Sequence, residues 1–237
     1  MTDIYQEIIK SKLSNKKLLA ILIDPDKVST EQVSILCQKI NTSPATHIFV
    51  GGSSFEGTHL DELIIELKSK IELPILLFPG NPDQISANAD AILFLSLLSG
   101  RNPDYLIEHQ VNVVPLLKKT TLEVISTGYI LIESGSETAV ERVSRTKALD
   151  RNNADYVLQT AQAGEYLGSK LIYLEAGSGA KLAVPTEIIK LVSQNIQIPV
   201  IVGGGIRSKK EIENAFISGA DLVVIGTAFE NDSNFFN

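Results

Sequence analysis

The chain has few of the residues that build disulfide frameworks or multi-ligand metal sites. It contains one cysteine, Cys37, three histidines and no tryptophan in 237 residues. A single cysteine excludes an internal disulfide framework and any metal site made of several cysteines. Cys37 lies in a helix-like apolar stripe, so we interpret it as a packed side chain and not as a nucleophile. The histidines, His47, His59 and His109, are not spaced as metal ligands, and we interpret them as structural.

Basic residues are in the minority. The sequence has 21 Lys and Arg against 28 Asp and Glu, which gives a formal net charge of -7. Surfaces that bind nucleic acid usually show a basic excess, so we expect no nucleic-acid partner. If the protein binds phosphates, we expect local backbone N–H groups and a metal to hold them.

Long apolar runs are also missing. The longest, such as 91–98, have the length of a buried strand and fall well short of the roughly 20 residues that span a bilayer. The first five residues lack the basic-then-apolar profile of a secretory signal. We therefore expect a cytoplasmic protein.

What the sequence does contain is a regular alternation of two patterns. Apolar, β-branched runs of strand length occur at 18–23, 47–50, 74–78, 91–97, 128–132, 170–174, 199–202 and 221–225. Helix-like stretches with apolar spacings of three and four occur at 31–40, 60–71, 154–167, 186–193 and 209–217. Eight buried strands that alternate with helices predict an α/β fold, a (β/α)₈ TIM barrel, as a single domain over 1–237. The alternative architecture is an open doubly wound sheet.

One region fits this alternation less well. Pro79, Pro82, Pro103 and Pro115 interrupt the chain between the third and fifth strands. Proline disfavours helix interiors, so the third helix is predicted to be irregular or missing. The segment 102–127 is predicted to hold one helix and irregular chain.

Glycines follow the last three strands directly. The segments are Tyr173-Leu174-Glu175-Ala176-Gly177-Ser178-Gly179, Val202-Gly203-Gly204-Gly205-Ile206 and Val224-Ile225-Gly226-Thr227-Ala228. In a barrel the active site lies at the carboxyl ends of the strands, and the loops after strands seven and eight commonly bind phosphate. Bare backbone there offers N–H groups to an anion, although the glycines alone would also suit tight turns. The pattern on consecutive late strands favours a phosphate site.

Three side chains at strand ends suggest chemistry. Glu175, at the end of strand six, can accept a proton or bind polyol hydroxyls, the alternative being a solvated glutamate. Asp24 follows strand one, and its carboxylate is a ligand that Mg²⁺ prefers. Ser53, after strand two, is a candidate second oxygen ligand for the same metal. By contrast, Asp26 and Lys27 suit either the site or the cap of the following helix.

These segments together resemble those of the geranylgeranylglyceryl phosphate synthases and the related heptaprenylglyceryl phosphate synthases, over 19–230. The segments that carry the resemblance are Asp24-Pro25-Asp26-Lys27, Gly51-Gly52-Ser53, Phe78-Pro79-Gly80, Leu97-Leu98-Ser99-Gly100-Arg101-Asn102-Pro103, Tyr173 to Gly179, Gly203-Gly204-Gly205 and Gly226-Thr227. In one group of this family a lysine stands two places before the metal-binding aspartate. Leu22 occupies that place here, which resembles the second group, including bacterial members.

The resemblance implies Mg²⁺-dependent transfer of a prenyl group, with geranylgeranyl as the first expectation, from its diphosphate to the 3-hydroxyl of sn-glycerol 1-phosphate. Asp24 and Ser53 would bind Mg²⁺. The residues implied to hold glycerol phosphate are Tyr173, Leu174, Glu175, Ala176, Gly177, Ser178, Gly179, Gly204, Gly205, Gly226 and Thr227. Our candidate for orienting the acceptor hydroxyl and taking its proton is Glu175, assisted by Tyr173.

The prenyl tail requires an apolar groove, and Phe78, Phe94, Leu97 and Leu98 are candidates to line it, although each suits an ordinary core equally well. The length of the tail stays open. Family habit suggests a homo-oligomer, a dimer or a hexamer, and transient membrane contact is expected because donor and product partition into bilayers. The alternatives are a barrel enzyme that isomerises or cyclises another sugar phosphate, and a phosphate- or lipid-binding barrel without turnover. The first would need a second carboxylate at a strand end, and Glu133 is the one candidate.

Overall fold

The eight strands close into one parallel barrel. The structure is a computed structural model that describes residues 3–52, 59–232 and 235–236. Within these residues each strand pairs in parallel with the next, and the eighth pairs with the first. The strands are β1 Leu18–Ile23, β2 His47–Val50, β3 Ile75–Leu77, β4 Ala91–Leu97, β5 Glu123–Leu131, β6 Leu171–Glu175, β7 Val200–Gly203 and β8 Leu222–Ile225. The predicted TIM barrel is confirmed.

Helices cover the outside of this barrel. They are α1 Ile4–Leu13, α2 Thr30–Asn41, α3 Leu60–Lys70, α4 His109–Leu117, α5 Ala139–Ser144, α6 Ala154–Tyr166, α7 Thr186–Asn195, α8 Lys209–Ile217 and α9 Thr227–Asn231. A 3₁₀ turn, Pro25–Lys27, follows β1, and one π-helical turn, Asp104–Glu108, precedes α4. None of the helices in the described ranges combines the length and the apolar character that a membrane span requires.

Strand alternation builds two apolar layers. Successive side chains of a strand point to opposite faces. In β6, Leu171 and Tyr173 belong to the cluster inside the barrel, whereas Ile172 and Leu174 belong to the cluster between barrel and helices. The same alternation turns Glu175 inward, at the mouth of the barrel.

Strand register brings the carboxyl ends to one rim. Glu175 pairs with Gly203 of β7, and on the other side of the barrel Ile23 pairs with Val50. The loops after β1, β2, β6, β7 and β8 therefore meet above the same opening. This rim is where barrel enzymes place their chemistry.

The third βα unit lacks its helix, as the prolines predict. Residues 78–90 hold turns and bends instead. Gln84 is buried in this loop: its Oε1 accepts the Gly80 N–H at 2.9 Å, and its Nε2 donates to the Gly52 carbonyl at 3.0 Å. The loop thus has its own polar connections to β2 and needs no helix to be ordered.

The prediction for 102–127 is wrong at its end, because β5 already begins at Glu123. Glu123 breaks the apolar pattern there, but its side chain has a structural role. Its carboxylate accepts the backbone N–H groups of Ile4 at 2.7 Å and Tyr5 at 3.0 Å. These are first-turn N–H groups of α1, which have no partner inside the helix. The carboxylate of Glu123, at the start of β5, therefore caps the amino end of α1.

Candidate active site

A cavity of about 500 Å³ opens over the carboxyl ends of the strands. Its wall combines residues from nearly every loop of this rim. The sequence-predicted site residues that line it are Asp24, Tyr173, Glu175, Gly177, Ser178, Gly179, Gly204, Gly205, Gly226 and Thr227. The structure thus brings together residues that are up to two hundred positions apart in the chain.

Two predicted site residues, Leu174 and Ala176, are not part of the cavity lining. Leu174 is fully buried in the layer between barrel and helices, behind the cavity wall. Ala176 is also buried, and its N–H donates to the Gly203 carbonyl at 3.1 Å. Their contact with a ligand stays a prediction. Ser53 lies outside the described residues.

Glycines allow the loops after β6 and β7 to approach each other closely. Gly204 has φ +79°, and a Cβ built there would collide with Glu175 Oε1 and lie 2.6 Å from the Gly177 nitrogen. A side chain at 204 would therefore be both strained and obstructed. On the neighbouring strand, α9 begins at Thr227 with Gly226 as its N-cap, and first-turn N–H groups of a helix have no partner within it. The cavity wall at β6 to β8 thus includes several glycines at which backbone faces the cavity, which suits an anion site.

Glu175 is a buried carboxylate in this wall, with 5 % of its surface exposed. Burial raises its pKa from 4.5 to about 7, because the charged form loses its hydration. The Gly177 N–H, which donates to Oε1 at 2.6 Å, opposes that shift, as does the nearby Tyr173 hydroxyl. A carboxyl group with a pKa near neutrality can exchange a proton with a substrate under physiological conditions.

Tyr173 lies directly below Glu175 on β6 and is fully buried. Its ring stacks on Phe78 with centroids 5.3 Å apart and meets Tyr129 edge-on at 5.4 Å. Its hydroxyl faces the Glu175 carboxylate but makes no hydrogen bond within accepted geometry to any described residue. Burial, and then the Glu175 charge, raise the pKa of Tyr173 well above 10. The hydroxyl therefore stays protonated and can act as a hydrogen-bond donor, while the ring of Tyr173 packs against those of Phe78 and Tyr129.

Asp24 stands at the opposite side of the mouth, at the end of β1. Its Oδ1 accepts the Asp26 N–H at 3.2 Å, which fixes the 3₁₀ turn. Lys27 of that turn places its Nζ 3.3 Å from Asp24 Oδ2 and 3.5 Å from Glu230 Oε2. His59 supports the same turn, with Nε2 2.9 Å from the Pro25 carbonyl oxygen. Asp24 is thus held in place while part of its side chain stays accessible.

The surroundings of Asp24 suit a magnesium ion. A Cβ on Gly52 would lie 3.0 Å from Asp24 Oδ1 and 3.5 Å from Oδ2, so glycine leaves open the space beside both oxygens. No cluster of three or more His, Cys, Asp or Glu side chains that could hold a metal occurs in 3–52, 59–232 and 235–236. Mg²⁺ needs no such cluster, because it commonly takes one or two carboxylates together with waters and substrate phosphates. The residues present therefore fit Mg²⁺.

The same cavity also has an apolar part, which we call the apolar arm. Phe78, Phe94 and Leu97 line it together with Val113 of α4 and Val140 of α5. The missing helix after β3 leaves β4 accessible on this side. Leu98, which the sequence offers as a fourth groove residue, lies elsewhere: its Cδ1 is the atom that a Cβ at Gly128 or Gly164 would meet first, so it packs between β5 and α6.

Sequence reasoning missed two charged features of the wall. Glu230 of α9 follows no strand directly, and only the fold brings it to Lys27. Arg207 also lines the cavity, and its guanidinium donates to the Ala180 carbonyl at 2.7 Å, which joins the loops after β6 and β7. An arginine two residues after a glycine run is a signal that could have been used. Glu133, the alternative second carboxylate, is exposed and is not part of the cavity lining.

Fold and site together define a (β/α)₈ barrel whose cavity joins a phosphate-type glycine cradle to an apolar arm. The sequence model of the PcrB family matches residues 9–236, and the chain belongs to this family. A geranylgeranylglyceryl phosphate synthase of Flavobacterium johnsoniae is 66 % identical over 237 residues, which are 100 % of this chain and 98 % of the relative. A protein of the same name from Zunongwangia profunda is 49 % identical over 231 residues, 98 % of both chains.

A solved structure agrees with this assignment. It is the (S)-3-O-geranylgeranylglyceryl phosphate synthase of Thermoplasma acidophilum in complex with its substrate sn-glycerol-1-phosphate. The TM-score is 0.93 at 32 % sequence identity, and the match covers 100 % of this chain and 95 % of that one. The family resemblance drawn from the motifs is confirmed.

Proposed function

We propose that this chain is a Mg²⁺-dependent prenyltransferase that joins a prenyl diphosphate, geranylgeranyl diphosphate in the first instance, to the 3-hydroxyl of sn-glycerol 1-phosphate. The products are a prenylglyceryl phosphate and diphosphate. One observation carries the proposal. A single cavity contains a glycine-rich polar half with a buried carboxylate, an apolar arm, and the accessible carboxylate of Asp24 on its wall. Each of the two dissimilar substrates thus has a matching surface within one site.

The polar half suits glycerol phosphate. The N–H groups around Gly177 to Gly179, Gly204 to Gly205 and Gly226 to Thr227 would bind the phosphate oxygens. A phosphate held there places the glycerol hydroxyls near Glu175, which belongs to the same wall. The Thermoplasma acidophilum neighbour binds sn-glycerol-1-phosphate, which supports this acceptor.

Glu175 and Tyr173 would handle the acceptor hydroxyl. The carboxylate would accept the hydrogen bond of this hydroxyl and orient its oxygen, and the buried Tyr173 hydroxyl beside Glu175 would assist as a donor. The bond between the prenyl carbon and the diphosphate oxygen breaks, and the electron pair leaves with diphosphate. The 3-hydroxyl oxygen captures the resulting allylic carbon, and its proton passes to Glu175, whose pKa of about 7 suits that transfer. Much of the acceleration comes from holding both reactants in place.

Asp24, with Ser53 as the second predicted ligand, would hold the magnesium ion. When bound, Mg²⁺ supplies Lewis-acid neutralisation of the departing diphosphate. The apolar arm would hold the prenyl tail against Phe78, Phe94 and Leu97, and it excludes water from the allylic carbon.

Product formation tests the proposal directly. The protein is incubated with labelled sn-glycerol 1-phosphate, Mg²⁺ and prenyl diphosphates of several lengths, and the organic phase is analysed for labelled lipid. We expect a labelled product that requires Mg²⁺, and much less product from the enantiomer sn-glycerol 3-phosphate. Absence of lipid product with every donor would refute the proposal and leave a phosphate-binding barrel without this activity.

Three further features belong to this proposal. The protein is expected to act in the cytoplasm as a homo-oligomer, a dimer or a hexamer, which light scattering after size exclusion would measure. Transient contact with membranes follows from the partition of donor and product into bilayers. Glu133, the second carboxylate considered for the alternative of sugar-phosphate isomerisation, is not part of the cavity lining.

A further inference from the structure

Lys27 lies between two carboxylates at the mouth of the cavity. Its Nζ is 3.3 Å from Asp24 Oδ2 and 3.5 Å from Glu230 Oε2. Asp24 follows β1, and Glu230 belongs to α9 after β8, so the lysine spans two neighbouring loops. All three residues line the cavity.

A purely structural role does not account for this arrangement. The Lys27 side chain is 48 % exposed, and ion pairs at such positions contribute little to stability. The helix α9 also has another attachment, because Lys39 donates to the Phe229 carbonyl and stacks on the Phe229 ring at 4.0 Å. Lys27 is therefore not needed to hold α9 in place.

The charge of Lys27 persists at its site. A lysine ammonium is positively charged at neutral pH, and the two carboxylates within 3.5 Å of its Nζ favour the charged form. The lysine is thus a permanent cation on a long, partly exposed stem. Such a side chain can move over several ångströms without disturbing the backbone.

The proposed leaving group needs this cation. A diphosphate carries more negative charge than one divalent ion neutralises, and the described residues hold no cluster for a further metal. Among the described residues that line the cavity, the lysine and arginine side chains are those of Lys27 and Arg207. Arg207 is engaged with the Ala180 carbonyl on the glycine-cradle side, whereas Lys27 stands beside Asp24.

We propose that Lys27 is a donor-binding residue: it neutralises Asp24 in the metal-free enzyme and turns to the diphosphate oxygens of the prenyl donor when Mg²⁺ occupies Asp24. This inference rests on the proposed function. It predicts two opposite effects of removing the lysine. The diphosphate loses a charge-assisted contact, while Mg²⁺ loses a competitor for Asp24.

Binding measurements on the full-length protein separate these effects. Wild type, Lys27→Met, Lys27→Arg and the control Lys70→Met are titrated calorimetrically with MgCl₂ alone and with inorganic diphosphate at saturating Mg²⁺. Lys70 is the matched control because it also forms an exposed ion pair, with Glu66 at 3.8 Å, and is not part of the cavity lining. Lys27→Met is expected to bind diphosphate about tenfold or more weakly and Mg²⁺ more tightly. Lys27→Arg should retain most of the diphosphate affinity, and Lys70→Met should match wild type.

Each contrary result has a defined meaning. Diphosphate affinity of Lys27→Met within twofold of wild type would overturn the assignment. Weaker diphosphate binding with unchanged Mg²⁺ affinity would support the donor contact and overturn the exchange at Asp24. An equal loss of glycerol 1-phosphate affinity would show that the substitution acts through the loops, which also overturns it. If wild type bound diphosphate more tightly than Lys27→Met but formed no lipid product, the proposed function would be refuted and the assignment of Lys27 would stand.

Discussion

Glutamine in place of Glu175 should stabilise the folded protein at alkaline pH while slowing the proposed reaction. The carboxyl group has a pKa of about 7 in the folded protein, against 4.5 for an exposed glutamate, because it is buried. The folded state therefore keeps a proton that the unfolded state has released between these two pH values. Stability consequently falls as pH rises from about 4.5 to about 7, and the loss is complete above that window.

The size of the effect follows from the shift. A difference of about 2.5 pKa units, at about 1.4 kcal/mol each, corresponds to about 3 kcal/mol at pH 8. Glutamine has nearly the shape of the protonated side chain, can still accept the Gly177 N–H, and does not ionise. For a chain of this length, about 3 kcal/mol corresponds to roughly 6 to 12 °C in melting temperature.

Urea unfolding of wild type and Glu175→Gln at pH 4.5, 6, 7 and 8 measures this difference. We expect the variant to gain little at pH 4.5 and about 3 kcal/mol at pH 8, with unchanged m-values. Glu133→Gln is the matched control, because it makes the same chemical change at an exposed glutamate. A constant difference between wild type and Glu175→Gln at every pH would refute the reasoning about burial.

The same variant connects stability to chemistry. If Glu175 takes the proton of the acceptor hydroxyl, kcat of the wild type should rise with pH through about 7 and level off above it. The glutamine variant should lose roughly a hundredfold or more in kcat and the pH dependence with it. Turnover near the wild-type level with unchanged acceptor affinity would remove Glu175 from the mechanism.

Gly204→Ala should raise the KM for glycerol 1-phosphate at least about tenfold, because the new Cβ would collide with Glu175 Oε1. The control Gly168→Ala also has a positive φ, +94°, but has open space around the new atom, so it should leave KM unchanged. Equal effects of the two substitutions would contradict this prediction. Asp24→Asn should weaken calorimetric Mg²⁺ binding about tenfold or more, whereas the exposed Asp26→Asn should not; unaltered binding would exclude Asp24 as a ligand. Burial lowers the pKa of His47 from 6.5 to about 4, so between these pH values His47 is protonated in the unfolded state and neutral in the folded state. In urea unfolding, the stability of wild type relative to His47→Gln should therefore fall by up to about 3 kcal/mol between pH 6.5 and 4. A difference between the two proteins that does not change with pH would contradict this.

Much of the barrel could be predicted because its strands are continuous apolar runs. In a parallel barrel both faces of a strand are buried, so β1, β2 and β4 stand out without an alternating pattern. The start of β5 was missed because Ser126, Thr127 and Gly128 divide its apolar residues and its first residue is the charged Glu123. Only the packed structure shows that this carboxylate caps α1. Pairing over more than a hundred residues leaves no local signal.

The candidate site was predictable where chemistry depends on backbone. A glycine directly after a strand marks close approach of a ligand or another loop, and at Gly204 the loop after β6 comes this close, beside Glu175. Long side chains that reach across loops were not predictable. Lys27 and Glu230 are about two hundred residues apart, and their contact depends on β1 closing the barrel against β8.

The pKa shifts of the two buried groups, His47 and Glu175, affect the pH dependence of stability with opposite signs. Between about pH 4.5 and 6.5, protonation disfavours folding at His47, whereas ionisation disfavours it at Glu175. The two contributions nearly cancel over this window, so each is measured as a difference between wild type and its glutamine variant. Above pH 7 only the cost at Glu175 remains. Burial of Glu175 causes this loss of stability and also raises its pKa to about 7. A protein with this glutamate exposed to solvent would therefore be more stable at alkaline pH, but the glutamate would be a weaker base.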